Sequence, residues 1–461
     1  MDEQQRKFMR MTQAPVKPLI AKLAVPTILS MLVTTFYNMA DTFFVGMLES
    51  DSITGAVGVV FSVMSVIQAV GFFFGHGSGN FVSRELGKKN VSDAEKMVSV
   101  GFFTALITGA VLGALGLVLI DPLAKLLGAT PTILPYAKQY MTPILIGAPF
   151  MCASLVLNNQ LRFQGNAMYA MLGIVSGAVL NIALDPLFIF TFGMGIAGAG
   201  WATILSQFVS FCLLLVGVQK SDTLKVRFSN FSFRMEYLKN IAAGGTPSLC
   251  RQGIGSLATI CLNRMAGPYG DAAVAAFAVV QRIMMFASSA LIGFGQGFQP
   301  VCGFNWGARR FERVKEAFWF CIRVSVIVMI VLGIVGYLFA PELVALFRDG
   351  QQVREIGAKA LRAQLIVFPL MGWVFLSNMM LQTIGRVFKA SVLATARQGL
   401  AFIPFVLILP HFFDLNGLVW AQACADVVAF LIALPIQISV LKEMEGYIKS
   451  GGDGESVPPA A

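Results

Sequence analysis

Charge is scarce in this chain. Asp, Glu, Lys and Arg make up only 13% of its 461 residues, against roughly 25% in a soluble domain, and the mean hydropathy is +0.74. That deficit excludes a soluble globular fold. Histidine is rarer still: His76 and His411 are the only two, no His/Glu set has metal-binding spacing, and no Ser or Cys has a base partner at helical spacing. A membrane-embedded enzyme is therefore disfavoured. The seven cysteines (Cys152, Cys212, Cys250, Cys261, Cys302, Cys321 and Cys424) are odd in number, sit in apolar stretches and lack Cys-x-x-Cys spacing. Neither a disulfide framework nor a zinc site is indicated, and no cofactor is expected. Residues 1–17 are polar and basic, without the short apolar region and cleavage site of a signal peptide.

What is abundant is apolar sequence, 56% of the chain. Runs long enough to cross a bilayer, about 20 residues each, recur at approximately 19–47, 53–79, 95–120, 134–157, 168–191 and 196–218, and again at 238–265, 272–298, 314–339, 357–383, 388–410 and 416–441. The pattern predicts an all-α polytopic membrane protein of twelve transmembrane helices in two six-helix lobes. The formal charge of +10 does not point to nucleic acid, because the basic residues cluster in short loops on one side. Arg84, Lys88, Lys89, Arg162, Lys220, Arg227, Arg309, Arg310 and Arg386 lie there with the N-terminus, and far fewer lie opposite. That imbalance puts both termini in the cytoplasm. The expected divisions are an N-terminal segment 1–17, an N-lobe 18–219, a basic linker 220–237, a C-lobe 238–441 and a cytoplasmic tail 442–461. The Gly-, Pro- and acid-containing stretch from Ser450 to Ala461 is expected to be disordered.

The halves repeat one another. Pro26 pairs with Pro247, Pro122 with Pro341, Asn158 with Asn378, Gly165 with Gly385, and Gly198 and Trp201 with Gly417 and Trp420, at nearly constant offset. The stretch from Gly75 to Gly87 likewise matches Gly295 to Gly307. Each half crosses an even number of times, so the repeats are parallel and a substrate is expected between the lobes. The glycine-rich twins lack the spacing and strand context of a nucleotide loop, and helix packing through small residues is the expected role.

Polar groups inside the apolar runs then stand out. Asn181 and Asp185, four apart, share a helical face, and Pro186 loosens the adjoining turn. Counted from the outer helix ends, Asp41, Asp185 and Thr203 reach one level, with Asn181 about a turn deeper and Tyr37 four residues before Asp41. This set is all oxygen and hard, suited to H⁺ or Na⁺ and not to a soft transition metal. Intramembrane carboxylates are functional by default, and the matching places in the second half lack them: Ile403-Pro404 answers Asp185-Pro186.

These residues carry a resemblance. The segment from Asn181 to Phe190, Arg162-Phe-Gln-Gly165, the stretch Gly293 to Arg310 and the two six-helix halves resemble the multidrug and toxic compound extrusion (MATE) family, over about residues 18–441 and closest to its bacterial MepA-like and DinF-like branches. The resemblance implies a V-shaped secondary exporter in the bacterial cytoplasmic (inner) membrane that exchanges H⁺ or Na⁺ for small amphipathic, often cationic compounds. It implies a coupling site at Asp41, Asn181, Asp185 and Thr203 with Tyr37 beside it, Na⁺ being a candidate occupant, and helix bending at Pro26. NorM-like members also use acids in the seventh and tenth helices. Here those regions read Cys250-Arg251-Gln252 and Ser377-Asn378-Met379, so no C-lobe cation site of that kind is expected.

Substrate identity is weakly written in the sequence. The 39 Phe and 22 Met can line an adaptable cavity but mostly serve packing and lipid contact. Asn158, Asn378 and Gln281 are candidate substrate groups, and the two Asn alternatively join helices. Arg251, Arg282, Arg323 and Arg397 lie inside second-half helices with Asp426 their only acidic partner. Arg397 and Asp426 are expected to pair, and with Arg251 they form a candidate polar network. The remaining arginines keep open the alternative of a flippase or exporter of lipid-linked or anionic metabolites. The expected partners are lipid and small organic substrates, the chain acting as a monomer.

Overall fold

In lipid every backbone N–H and C=O needs an internal partner, which leaves helix as the only choice for separate apolar runs. The computed structural model describes residues 3–48, 50–220, 224–348 and 350–449, and among them there is no strand. Ten long helices are α1 (Val16–Gly46), α2 (Asp51–Gly87), α3 (Val91–Val118), α4 (Leu134–Phe163), α5 (Ala167–Thr191), α6 (Ile196–Lys220), α7 (Met235–Ala266), α8 (Asp271–Gly307), α9 (Phe311–Leu338) and α10 (Gln351–Thr383). The run Val387–Lys449 supplies two more, α11 (387–413) and α12 (415–449), because the backbone reverses at Asp414 with φ 49° and ψ −136°.

Composition alone finds ten membrane-crossing stretches. It counts α11 and α12 as one and passes over α7, whose Asn240, Arg251, Gln252 and Arg264 dilute its apolar character. Twelve crossings result, as the sequence predicts. The last helix runs beyond residue 441 to Lys449. The linker from residue 224 onward packs against the N-lobe, with Phe228 and Phe231 on Phe103 and the Arg227 N–H on Ser99 Oγ at 3.1 Å. The tail from residue 450 onward lies outside the described residues.

The repeat is visible in the backbone. Gly165 and Gly385 take φ of 81° and 85°, and Lys89 and Arg309 take 62° and 56°, closing the same tight turns in each half; glycine suits the left-handed region because it has no Cβ. In each lobe one helix, α4 or α10, runs through the middle and is the most enclosed.

The lobes meet along α1–α8 and α2–α7, at the end of the bundle that carries both termini. A Cβ added to Gly77 would stand 2.3 Å from the Ile241 carbonyl oxygen, and one on Gly297 2.5 Å from Ala24 Cα. The glycine-rich twins thus bring backbone to backbone across the lobes. The N-terminal helix Glu3–Gln13 straddles this end: Asn305 Nδ2 donates to the Met11 carbonyl at 3.0 Å, Arg310 Nη1 to that of Thr12 at 2.8 Å, and Lys7 Nζ to Asn166 Oδ1 at 2.6 Å. Among the described residues, the cross-lobe hydrogen bonds reach inward as far as Gln296 to Met31 and Ser248 to His76. Beyond them lies a cavity.

Gly297→Val is expected to destabilise the protein by about 1–3 kcal/mol through overpacking. Gly58→Val, which meets no atom within 4 Å, should be nearly neutral. Thermal unfolding in detergent checks the difference.

Candidate ion and substrate sites

In the N-lobe, α1, α4, α5 and α6 converge at the end away from the termini. The Tyr140 hydroxyl donates to Asp41 Oδ2 at 3.1 Å. Asn181 Nδ2 donates to Asp185 Oδ1 at 3.2 Å and reaches Thr203 Oγ1 at 3.5 Å. The Asp41 and Asp185 carboxyls are close enough to interact electrostatically, as is Tyr37 with both, and Gln207 lies beside Tyr37. Asp185 is fully buried, Asn181, Thr203 and Tyr140 are 2% exposed, and Asp41 is half-buried. All five residues expected at this site are therefore brought together.

The local cause is visible on α5. Pro186 has no N–H to donate, and the helix widens into a π-turn over Leu187–Thr191, the Phe192 N–H reaching back to the Leu187 carbonyl at 2.9 Å. Such widened turns are frequent at functional sites. Tyr140 was not foreseen, although depth would have found it: it sits six residues inside the first residue of α4, level with Asp41.

No Lys or Arg forms an ion pair with Asp41 or Asp185 among the described residues. Asp41 Oδ1, Asp185 Oδ2 and Asn181 Oδ1 are buried acceptors that no donor among the described residues satisfies. Buried acceptors left open are costly, and two carboxyls in one apolar site need positive charge from elsewhere. A proton shared between them, or a small hard cation held by these oxygens, fits the arrangement.

The second site is a cavity of about 400 Å³ on the C-lobe side. Its floor is a network that the sequence did not reveal. Ser248 Oγ lies 2.9 Å from His76 Nδ1, Gln382 Nε2 donates to Ser248 Oγ at 2.8 Å, and Arg162 Nη2 donates to Asn159 Oδ1 at 2.6 Å while lying 3.5 Å from His76 Nε2. Arg162, read from the sequence as a loop charge, is 2% exposed. A histidine in a glycine-rich transmembrane stretch was the available signal.

Gln281, Arg251 and Arg397 line this cavity. Asn158 and Asn378 are not among its lining residues, and their bonds match the alternative reading of the two Asn as groups that join helices. Asn158 Nδ2 donates to the Ala170 carbonyl at 3.1 Å and Asn378 Nδ2 to that of Ala390 at 2.7 Å, so the twins join α4 to α5 and α10 to α11. The proposed C-lobe network also divides. Arg397 Nε meets Asp426 Oδ1 at 2.8 Å, where Gln422 also donates at 2.8 Å, while Arg251 Nη1 reaches only Asn378 Oδ1, at 3.3 Å.

Two repeated six-helix lobes around a cavity, with an acid cluster in one of them, define a membrane carrier for small molecules. Residues 26–187 and 247–408 each match the MatE family, together more than two-thirds of the chain. The protein belongs to the MATE family of multidrug efflux transporters. It is 26% identical, over 92% of its length and 94% of the relative's, to the multidrug export protein MepA of Staphylococcus aureus (strain MSSA476). Over 90% of its length and 91% of the relative's it is 25% identical to the MepA of Staphylococcus saprophyticus. Among solved structures it resembles a MATE transporter in the straight conformation, with TM-score 0.90, 28% identity and coverage of 95% of this chain and 99% of that one. A MOP superfamily transporter from Pyrococcus furiosus, described as having a binding pocket of reversed polarity, gives TM-score 0.89 at 28% identity, covering 95% of this chain and 98% of that one. The two MatE matches begin at Pro26 and Pro247, the twins seen in the sequence.

Removing Arg397 leaves Asp426, whose side chain is 1% exposed, buried without its cation. Arg397→Ala is expected to cost about 3–5 kcal/mol, and the double variant R397M/D426L to recover most of it. Thermal melts of the two variants make the comparison.

Proposed function

We propose that this MATE transporter is a secondary active exporter of amphipathic organic compounds, the cationic ones expected from the family resemblance among them. It exchanges these for H⁺ or Na⁺ by alternating access, as a monomer in the bacterial cytoplasmic membrane with both termini cytoplasmic. The observation that carries this reading is the facing pair Asp41 and Asp185, which has no ion-pair partner among the described residues and whose first member sits on the helix that also lines the cavity.

That helix is α1. Met31 borders the cavity and Asp41 the acid pair, ten residues or about 15 Å further along the axis. Near its start, Pro26 cannot donate to the preceding turn. Thr27 Oγ1 donates to the Gly293 carbonyl across the lobes at 2.6 Å, with the carbonyls of Ala24 and Leu23 on its own helix as alternative acceptors at 2.9 and 3.1 Å. The helix therefore has a weak point where it grips the C-lobe. With the termini cytoplasmic, the closed end of the bundle faces inward and the cavity opens outward. Ion uptake between Asp41 and Asp185 neutralises the pair, α1 bends near Pro26, and the cavity contracts to release its substrate. The ion drives this step only by binding the two states differently. One charge moving down 100 mV supplies about 2.3 kcal/mol, enough for a roughly fifty-fold gradient of a neutral substrate.

Asp41→Asn and Asp185→Asn should each lower gradient-driven efflux of a fluorescent organic cation from proteoliposomes by about tenfold or more. Whether an imposed pH gradient or an imposed Na⁺ gradient drives the wild type names the coupling ion. Normal pumping by both variants would remove the acid pair from the mechanism.

A further inference from the structure

We propose that the C-lobe cavity binds an amphipathic carboxylate, a drug-sized compound whose oxyanion pairs with Arg251 while its rings lie among Phe277, Met284, Phe375 and Phe402. This rests on the exporter reading and gives it a substrate class: zwitterions and monoanions are taken in preference to simple cations.

The sign of the charge in the cavity carries the inference. No Asp, Glu or Lys is among the lining residues; two Arg and eight Gln are. Glutamine amides present both a donor and an acceptor and serve ligands of either polarity, so the arginines set the sign. Arg397 is already neutralised by Asp426 behind it, and its guanidinium lies 5.8 Å from the centre of the Phe375 ring. Arg251 is different. Its one hydrogen bond, to Asn378 Oδ1 at 3.3 Å, goes to a neutral amide, and among the described residues no carboxylate lies within ion-pair distance.

A guanidinium carries five N–H donors in a planar fork. Holding it in an apolar protein without an anion is costly, and one amide oxygen uses a single donor. What the fork lacks is a planar, bidentate acceptor, which a carboxylate supplies. The apolar wall supplies the rest of the recognition, since Phe72, Phe277, Phe375 and Phe402 and four methionines border the same space. A volume of about 400 Å³ falls in the range of drug-sized ligands and is too small for the body of a two-chain lipid.

The test is equilibrium binding to the full-length protein in phosphatidylcholine nanodiscs, read by fluorescence polarisation. The probes are a rhodamine with a free carboxylate and its ethyl ester, which share one fluorophore and differ by one negative charge. The wild type should bind the acid about tenfold or more tightly than the ester. Arg251→Gln should erase that preference, and Arg251→Lys, which keeps the charge and loses the fork, should retain part of it. Equal or tighter binding of the ester by the wild type overturns the proposal without reliance on any variant. So does a preference that survives in Arg251→Gln with an unchanged melting temperature. Loss of the preference when phosphatidylglycerol is added to the nanodiscs would place a lipid headgroup on Arg251, and the soluble-carboxylate claim would fall. Binding needs no gradient, so the two readings separate. If imposed gradients move neither dye while the acid preference and its loss in Arg251→Gln persist, the exporter reading fails and the site stands. If gradients drive efflux but acid and ester bind alike, the site fails alone.

Discussion

Asp41 and Asp185 face one another inside an apolar bundle, and among the described residues no basic side chain pairs with them. Tyr140 and Asn181 each donate one hydrogen bond to the pair, enough to orient the carboxyls and too little to neutralise them. Acceptors on Asp41, Asp185 and Asn181 have no donor among the described residues, an arrangement that suits a proton or a small hard cation. Buried charge of one sign is ordinarily removed by evolution or paired, because desolvation costs more than isolated dipoles return. A pair left uncompensated in this way is what the proposed ion exchange requires of the N-lobe.

The C-lobe is built on the same frame but spends its polarity differently. Asn158 and Asn378 make the same bond in the two lobes, and Gly165 and Gly385 the same turn, so scaffold positions are duplicated. At the level of the acid pair the symmetry ends. Ile403 stands where the first half has Asp185, and the second half instead carries Arg251, Arg397 and Asp426 around a glutamine-lined cavity. The N-lobe site presents two carboxyls without a basic partner, and the C-lobe cavity presents two arginines of which one is paired with an acid.

Communication between them has one evident route. α1 belongs to the N-lobe, packs against α8 of the C-lobe, borders the cavity at Met31 and carries Asp41 further along. The cross-lobe bond from Thr27 lies beside Pro26, where the backbone ladder is already interrupted. At the same end, glycine contacts, the His76–Ser248–Gln382 network and the N-terminal helix hold the lobes together. Any opening of that end must break them as a group, because backbone-to-backbone packing through glycine has no intermediate fit.

The amino-acid sequence by itself determined the twelve crossings, the duplication and the depth of each intramembrane polar group, since these depend on run length, spacing and distance from a helix end. That was sufficient to gather Tyr37, Asp41, Asn181, Asp185 and Thr203 at one site, because depth fixes one coordinate and a shared helical face fixes another. Lateral neighbours were left to the tertiary structure. Whether Asn158 faces a cavity or the carbonyl of Ala170, whether Arg162 lies in a loop or beneath His76, and whether Arg251 meets an acid or only Asn378 depend on how each helix is rotated against its neighbours. Rotation is set by side-chain packing across residues far apart in the chain, and no periodicity along one helix records it.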